Sequence, residues 1–270
     1  MLRYAIQAAV FKNQKDNMKS EVKVEKNIPQ FKEIRHLFDQ ISPGYDKFNK
    51  WTSLGRDEYW RQQTCLPLKP GMAVLDIGTG TGDLAFEAYK SIGTSGHIDG
   101  LDFAEDMLAI AEEKRRAIDP AMKIQWIAKS AEDLPLTRKY DAIISAFVLR
   151  NLNPKIHHII DGVYKTLKPG GVVSFVDLTE PENWFLRLGS RIYMKTIVML
   201  MGVFCFGTAK PVSYLQGSMQ RFFRARKFRD LLIDAGFEGV EYKSFLFGAV
   251  THYLALKPNQ SNDDAAQLPK

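Results

Sequence analysis

Cysteine is scarce in this chain: its 270 residues hold two, Cys65 and Cys205. Neither sits in a CxxC pair or a zinc-ligand spacing. That excludes a disulfide framework and a structural zinc site, and two reduced, non-catalytic thiols in a cytoplasmic compartment are expected. No metal is expected. Long apolar runs are lacking as well. The run Ile197 to Phe206 covers ten residues with Lys195 just upstream, against the about eighteen of a membrane span, so no bilayer-crossing helix is expected. Acid is absent from two stretches. Residues 1–15 have none, but they carry a single Arg and no Ser precedes Ser20, so a transit peptide is not expected. Met18 serves equally as a starting residue. From Arg221 to Arg229 there are five basic residues, three phenylalanines and no acid. Such a stretch suits an anionic membrane surface or nucleic acid, and equally a helix whose Phe side packs on the core.

What is present is the composition of an ordinary globular protein, with 45% hydrophobic and 25% charged residues. The length allows one large domain plus appendages. The formal charge is +6, and the first fifty residues hold ten Lys or Arg against six Asp or Glu.

The chain is organised around Val74 to Asp83, Val-Leu-Asp-Ile-Gly-Thr-Gly-Thr-Gly-Asp. An apolar run like Ala73 to Ile77 reads as a buried parallel strand, and a helical pattern starts at Leu84, so the glycines fall at a strand-to-helix turn. Glycine there permits tight backbone angles and close approach of a nucleotide-like ligand. A dinucleotide fingerprint needs glycine at 78, 80 and 83, and position 83 is Asp. The looser register Gly80, Gly82, Ala85 still leaves that charge inside the phosphate loop. S-adenosylmethionine has no phosphate and carries a sulfonium and an ammonium, so Asp76 and Asp83 become favourable. The plain alternative is a tight turn whose Asp83 caps the helix.

Strand and helix patterns then alternate: strands at 97–101, 123–127, 140–145 and 172–176, and helices at 104–118 and 154–167. That is the mark of a doubly wound α/β sheet. Asp102 ends the second strand, where a carboxylate accepts both hydroxyls of a ribose, or caps the next helix. Ala131 to Pro135 falls where an adenine edge would lie. Arg150 and Asn151 lie just past the fourth strand, in the ligand crevice of such a sheet. The stretch from Pro181 to Met219 interrupts the alternation with an aromatic and Met-rich insertion, which fits a buried helix, a greasy lid or a lipid-facing patch. A helix at 228–235 and strands at 239–246 and 249–256 close the sheet. Upstream, Phe31, Ile34, Phe38 and Ile41 suggest a helix, and 57–63 another.

Glycine loop, ribose acid and the Lys168-Pro169-Gly170-Gly171 turn resemble the class I S-adenosylmethionine-dependent methyltransferases. More narrowly, from about Phe38 to Pro258 the chain resembles the ubiquinone/menaquinone biosynthesis C-methyltransferase family. The likeness rests on Tyr45-Asp46-Lys47-Phe48-Asn49, Asp76 to Asp83, Ala131 to Pro135, Leu149-Arg150-Asn151, Tyr214-Leu215 with Ser218 and Phe222, and Gly248 to His252. The chain departs from that family at Ser130, Ala146, Phe147-Val148 and Asp177-Leu178-Thr179. The resemblance implies an α/β, Rossmann-like class I methyltransferase sheet with an antiparallel last strand and a helical substrate-lid insertion. It places the domain at 28–258, lid elements at 28–66 and 181–222, and flexible tails at 1–27 and 259–270.

The resemblance further implies donor contacts at Asp76, Gly78, Gly80, Thr81, Gly82, Asp102, Phe103, Ser130, Ala131 and Ala146. The acceptor it implies is a prenylated hydroquinone of menaquinone or ubiquinone synthesis, demethylmenaquinol favoured, methylated on a ring carbon. Arg150 is the expected stabiliser of the phenolate, with Asp177, Tyr45 and His252 as alternative bases. Expected partners are the quinol, an anionic membrane surface and a second copy of the chain, with no nucleic acid, at a cytoplasmic or inner-membrane-face location. Three rivals keep the loop: another small-molecule methyltransferase, an RNA methyltransferase, and a donor-binding protein without turnover.

Overall fold

Val74, Leu75 and Ile77 are buried to the last atom, because a central parallel strand is covered on both faces. This strand, β1 (Ala73–Ile77), is the middle of a sheet in a computed structural model that describes residues 47–259 apart from 49, 54 and 209. The expected helix around Phe31 to Ile41, Tyr45, the 1–27 tail and nearly all of the 259–270 tail lie outside the described residues.

The chain runs through α1 (Asp57–Cys65), β1, α2 (Asp83–Ile92), β2 (His97–Asp102), α3 (Glu105–Ile118), β3 (Ile124–Ala128) and β4 (Tyr140–Ala146). A 3-10 segment, Leu149–Lys155, leads into α4 (Ile156–Thr166) and β5 (Leu167–Leu178). After the insertion come α8 (Ala225–Asp234), β6 (Glu238–Phe245) and β7 (Val250–Leu256). The sheet order is β3-β2-β1-β4-β5-β7-β6, parallel except that β7 runs antiparallel to both β5 and β6. The doubly wound α/β sheet with an antiparallel closing strand is therefore present. β5 starts earlier than expected, since Leu167 already pairs with Tyr140 and the Lys168–Gly171 turn is taken up as a register shift.

Alternation sorts the strands between two cores. Leu75, Ile77 and Ile143 face α4 and α8, with Ile156, Ile160, Phe228 and Leu232. Val74, Ala142 and Ile144 face α1 and α2, with Cys65, Ala85, Phe86 and Ile92. β1 pairs with β2 on one side and β4 on the other. The winding reverses there, and a crevice opens beyond the strands' carboxyl ends.

The insertion holds α5 (Trp184–Tyr193), a π-helical turn (Met194–Val198), α6 (Met199–Phe206) and α7 (Lys210–Arg221). Residues Trp184–Phe206 form one continuous 23-residue helix, within which an 18-residue stretch has a mean hydropathy of 1.3 and is 17% buried. This corrects the expectation from run length: the helix continues through Lys195, and by length and composition alone it could cross a membrane. Its carboxyl half packs through Met194 and Val198 on Phe48, Val212 and Met219, while α5 buries no residue. Of the two readings of Arg221 to Arg229, the core-packing one holds, since Phe222 and Phe228 are buried in the α4/α8 core.

Candidate active site

The loop after β1 is held by backbone bonds that only a left-handed path allows. Gly78 (φ +68°) and Thr79 both donate to the Leu101 carbonyl, and Gly82 (φ +86°) starts α2. Gly80 (φ +53°) donates its N–H to Asp102 Oδ2 at 2.8 Å. A Cβ at Gly80 would meet nothing within 4 Å, so the loop's centre opens onto free space. A Cβ at Gly78 would lie 2.5 Å from both γ-carbons of Val148, which fastens this loop to the one after β4.

Asp102 also accepts from Ala104 N at 2.9 Å, so the helix-capping and loop-bracing roles are both visible. It ends β2 beside the open centre of the glycine loop. Asp76 is wholly buried, takes a 2.7 Å bond from Thr79 Oγ1 on Oδ2, and its Oδ1 has no partner of bonding geometry. Burial pushes its carboxyl up to about 7; the Thr79 hydroxyl and the Ala85 N–H offset only part of that, and the charges of Asp102 and Asp83 add to it. A buried carboxylate with an orphaned oxygen and an open glycine cradle beside it fit a cationic, nucleoside-bearing donor. Asp83 is the correction. Its carboxylate is taken by Lys114 at 2.8 Å and Arg61 at 3.8 Å, so it braces α2 against α1 and α3.

The other expected donor contacts ring this loop in sequence order. Thr81 is buried within it, Phe103 follows Asp102, and Ala146 ends β4. Ser130 closes a capping box with Asp133 over a 3-10 turn that begins at the buried Ala131, fixing the loop beyond β3.

After β4 the backbone takes a left-handed residue at Phe147 (φ 63°), an uncommon conformation for a side chain of this size. It turns the chain back so that Arg150, 6% exposed, lies over the fully buried Asp177 at the end of β5. Arg150 Nη1 donates to Asp177 Oδ1 at 2.7 Å and to the Phe147 carbonyl, and its backbone N–H donates to Asp177 Oδ2 at 2.9 Å. Leu178 N adds a 2.7 Å bond to Oδ1. Asp177, expected as a base, thus receives three donors and has the geometry of an anchor. Arg150 Nε is buried without a partner.

His252 is not brought to this group. It pairs with Val176 across the β5–β7 ladder, facing the opposite side of the sheet from Asp177. Its Nε2 lies 2.8 Å from Ser174 Oγ, which in turn donates to the Thr64 carbonyl of α1. Burial, with Lys243 adding, lowers its pKa to about 4, so it is a neutral core histidine. Tyr45 lies outside the described residues.

Asn151 Oδ1, on a residue the sequence already places in the crevice, is likewise buried without a hydrogen-bond partner, and so are two groups the sequence did not point to, Gln216 Nε2 and Tyr253 Oη. α7, which carries Gln216, packs on the 3-10 segment that carries Arg150 and Asn151. On the same helix burial raises the pKa of Tyr214, with the Arg150 and Arg221 charges pulling the other way. The sequence signal is partial, since Gln216 directly follows the Tyr214-Leu215 pair that carries part of the family resemblance.

Comparison with known proteins bears on this site. A family model described as the ubiE/COQ5 methyltransferase family matches residues 23–257. A demethylmenaquinone methyltransferase of Bacillus cytotoxicus is 31% identical over 228 residues, 83% of this chain and 95% of that protein. One from Oceanobacillus iheyensis is 29% identical over 230 residues, 84% of this chain and 96% of its own length. Among solved structures, a SAM-dependent methyltransferase from Aquifex aeolicus superposes with a TM-score of 0.56 at 20% identity, over 78% of this chain and 97% of that one.

Proposed function

The chain belongs to the ubiE/COQ5 methyltransferase family, and on that premise we propose that it methylates a ring carbon of a demethylmenaquinol-type acceptor with S-adenosylmethionine as donor. The observation that carries the reading is Arg150, a buried guanidinium fixed on Asp177 with Nε left over, in the crevice beside the glycine loop.

S-adenosylmethionine supplies an electrophilic methyl on a sulfonium. Asp76 offers its ionised carboxylate to the donor's cationic end, Asp102 accepts the ribose hydroxyls, and Gly80 leaves room for the nucleoside. A ring carbon becomes nucleophilic when a neighbouring hydroxyl loses its proton. Arg150, permanently charged, stabilises that phenolate, and Asp177 holds it in place. The methyl passes to the carbon, the sulfonium leaves as the neutral thioether, and the ring C–H proton is lost as aromaticity returns. The second ring oxygen finds Asn151 and Gln216 available as hydrogen-bonding groups.

The names of the relatives favour a naphthoquinol over the benzoquinol of ubiquinone synthesis, which presents the same paired hydroxyls. The reading includes attachment at the inner face of a membrane and self-association. Exposed apolar side chains such as Leu200, Phe204 and Phe247 support the membrane attachment.

Incubation of the purified chain with methyl-labelled donor and demethylmenaquinone is expected to label the quinone only when a reductant supplies the quinol. No label despite donor binding would remove this acceptor. Donor binding also carries a pH signature. In the free protein Asp76 holds its proton up to about pH 7, whereas a cationic ligand favours the ionised form. Affinity should therefore rise about tenfold from pH 6 to pH 8, with close to one proton released on binding at pH 6 and little at pH 8. The same raised pKa makes this group's contribution to stability largest below about pH 4, declining as the pH rises to 7. Isothermal titration in buffers of different ionisation enthalpy checks the first point, and Asp76→Asn should flatten the profile.

A further inference from the structure

We propose that the outer face of the Trp184–Phe206 helix, together with the Leu246–Phe247 tip, is a docking surface for the headgroup region of an anionic lipid bilayer, on which the helix lies flat. The proposal rests on the acceptor reading in one respect, that a prenylated substrate is drawn from such a surface.

Trp184, Phe185, Leu188 and Ile192 are exposed along α5, and Ile197, Leu200 and Phe204 are exposed beyond it. Spacings of three and four residues line up each set, and the π turn at Met194–Val198 joins them, because its wider turn brings Ile197 round towards Ile192. The opposite side of the carboxyl half is committed to the protein, with Gly202 so close to Val212 that a Cβ would lie 2.1 Å from its γ-carbon. A helix with one buried flank and Arg191 and Lys195 midway along it cannot be surrounded by lipid, so the interfacial orientation follows.

The second observation is the hairpin between β6 and β7. Leu246 (φ 48°) and Phe247 (φ 57°) are consecutive non-glycine residues in the left-handed region, and Phe247 is 81% exposed. The next residue, Gly248, abuts Pro181, just before α5, where a Cβ would come within 3.1 Å of Pro181 Cα. A conformation that side chains avoid therefore holds two large apolar residues in solvent beside the amino end of the exposed stripe.

Charge selects the occupant. The helix from Trp184 to Phe206 carries Arg187, Arg191 and Lys195 and not one Asp or Glu. Two copies of the chain meeting through this face would oppose like charges, whereas anionic headgroups complement it. Lys195 is exposed on the helix and has no ion-pair partner among the described residues, while Arg191 is held by Glu180 at 2.8 Å.

The test uses the full chain and vesicles of phosphatidylcholine with or without phosphatidylglycerol. The expected result is flotation with the anionic vesicles only, weakened by salt and released by alkaline carbonate. Trp184→Ser/Leu188→Ser/Phe247→Ser should reduce binding at least tenfold, and Lys195→Glu severalfold. Both variants should keep wild-type methylation of a tail-less demethylnaphthoquinol, which shows them folded. No flotation by a chain that methylates the tail-less acceptor overturns the docking proposal and leaves the activity standing; flotation without methylation does the reverse. Carbonate resistance would mean a spanning helix. A triple variant that changes mass in solution but binds vesicles normally would mean a contact between copies. Either result overturns the proposal.

Discussion

Arg150→Ala is expected to lower kcat on the quinol by about 10²–10³, the usual loss when a fixed donor to a developing oxyanion is removed, with little change in the affinity for S-adenosylmethionine. The split follows from the geometry. Arg150 reaches Asp177 and the Phe147 carbonyl, and none of its described hydrogen bonds goes to the glycine loop. Because Asp177 would stay buried with two backbone N–H donors but without its counter-charge, the variant should also lose about 3–5 kcal/mol of stability, so binding and turnover are compared well below its Tm. Arg150→Lys separates charge from shape: an ammonium keeps the charge but cannot fork onto Asp177 while presenting a second edge, so partial recovery of kcat is expected. Asp177→Asn still accepts from Arg150 and Leu178. If Asp177 is an anchor, that variant loses rate while the pH–rate profile keeps its limbs; loss of the acidic limb would make it the base instead. Wild-type kcat in Arg150→Ala would end the assignment.

The sheet was legible because buried parallel strands write themselves as short apolar runs. β1 was placed at its observed bounds, and β2, β3 and β4 each came within a residue or so. β5 was read short because Pro169 and two glycines look like a turn, yet a register shift absorbs them into the ladder. At the site, residue type and position past a strand end were enough to find Asp76, Asp102 and Arg150. Partnership was not. Asp83 stands one residue past the last glycine, and only the fold shows Lys114 and Arg61 reaching it. His252 faces away from the crevice because strand alternation, two residues from Val250, sends it under α1. The insertion was misjudged for another reason. Counting contiguous apolar residues stops at Lys195, whereas a helix turns that residue aside and continues its stripe.

Alanine at Gly80 and alanine at Gly78 should separate two tasks of the glycine loop. At Gly80 a Cβ enters open space, so Gly80→Ala pays mainly for a left-handed backbone, about 1 kcal/mol, and should melt only a few degrees early. Its methyl occupies the space assigned to the donor, and at roughly 1.4–2.8 kcal/mol of lost fit the Kd for S-adenosylmethionine should rise about 10–100-fold. At Gly78 the new Cβ lies 2.5 Å from both γ-carbons of Val148 and 2.9 Å from its Cβ, so turning the Val148 side chain gives no relief. The segment carrying Val148 must move, and Arg150 is two residues along it. Gly78→Ala should therefore lose donor affinity, kcat and stability together. Adding Val148→Gly removes the obstructing atoms and should restore much of kcat, while the backbone strain at position 78 persists as a lowered Tm. Calorimetric binding, single-turnover rates and thermal melts on the three variants decide the matter. Wild-type donor affinity in Gly80→Ala would detach the donor from the loop's centre, and failure of Val148→Gly to rescue would mean that the two loops are not coupled through this contact.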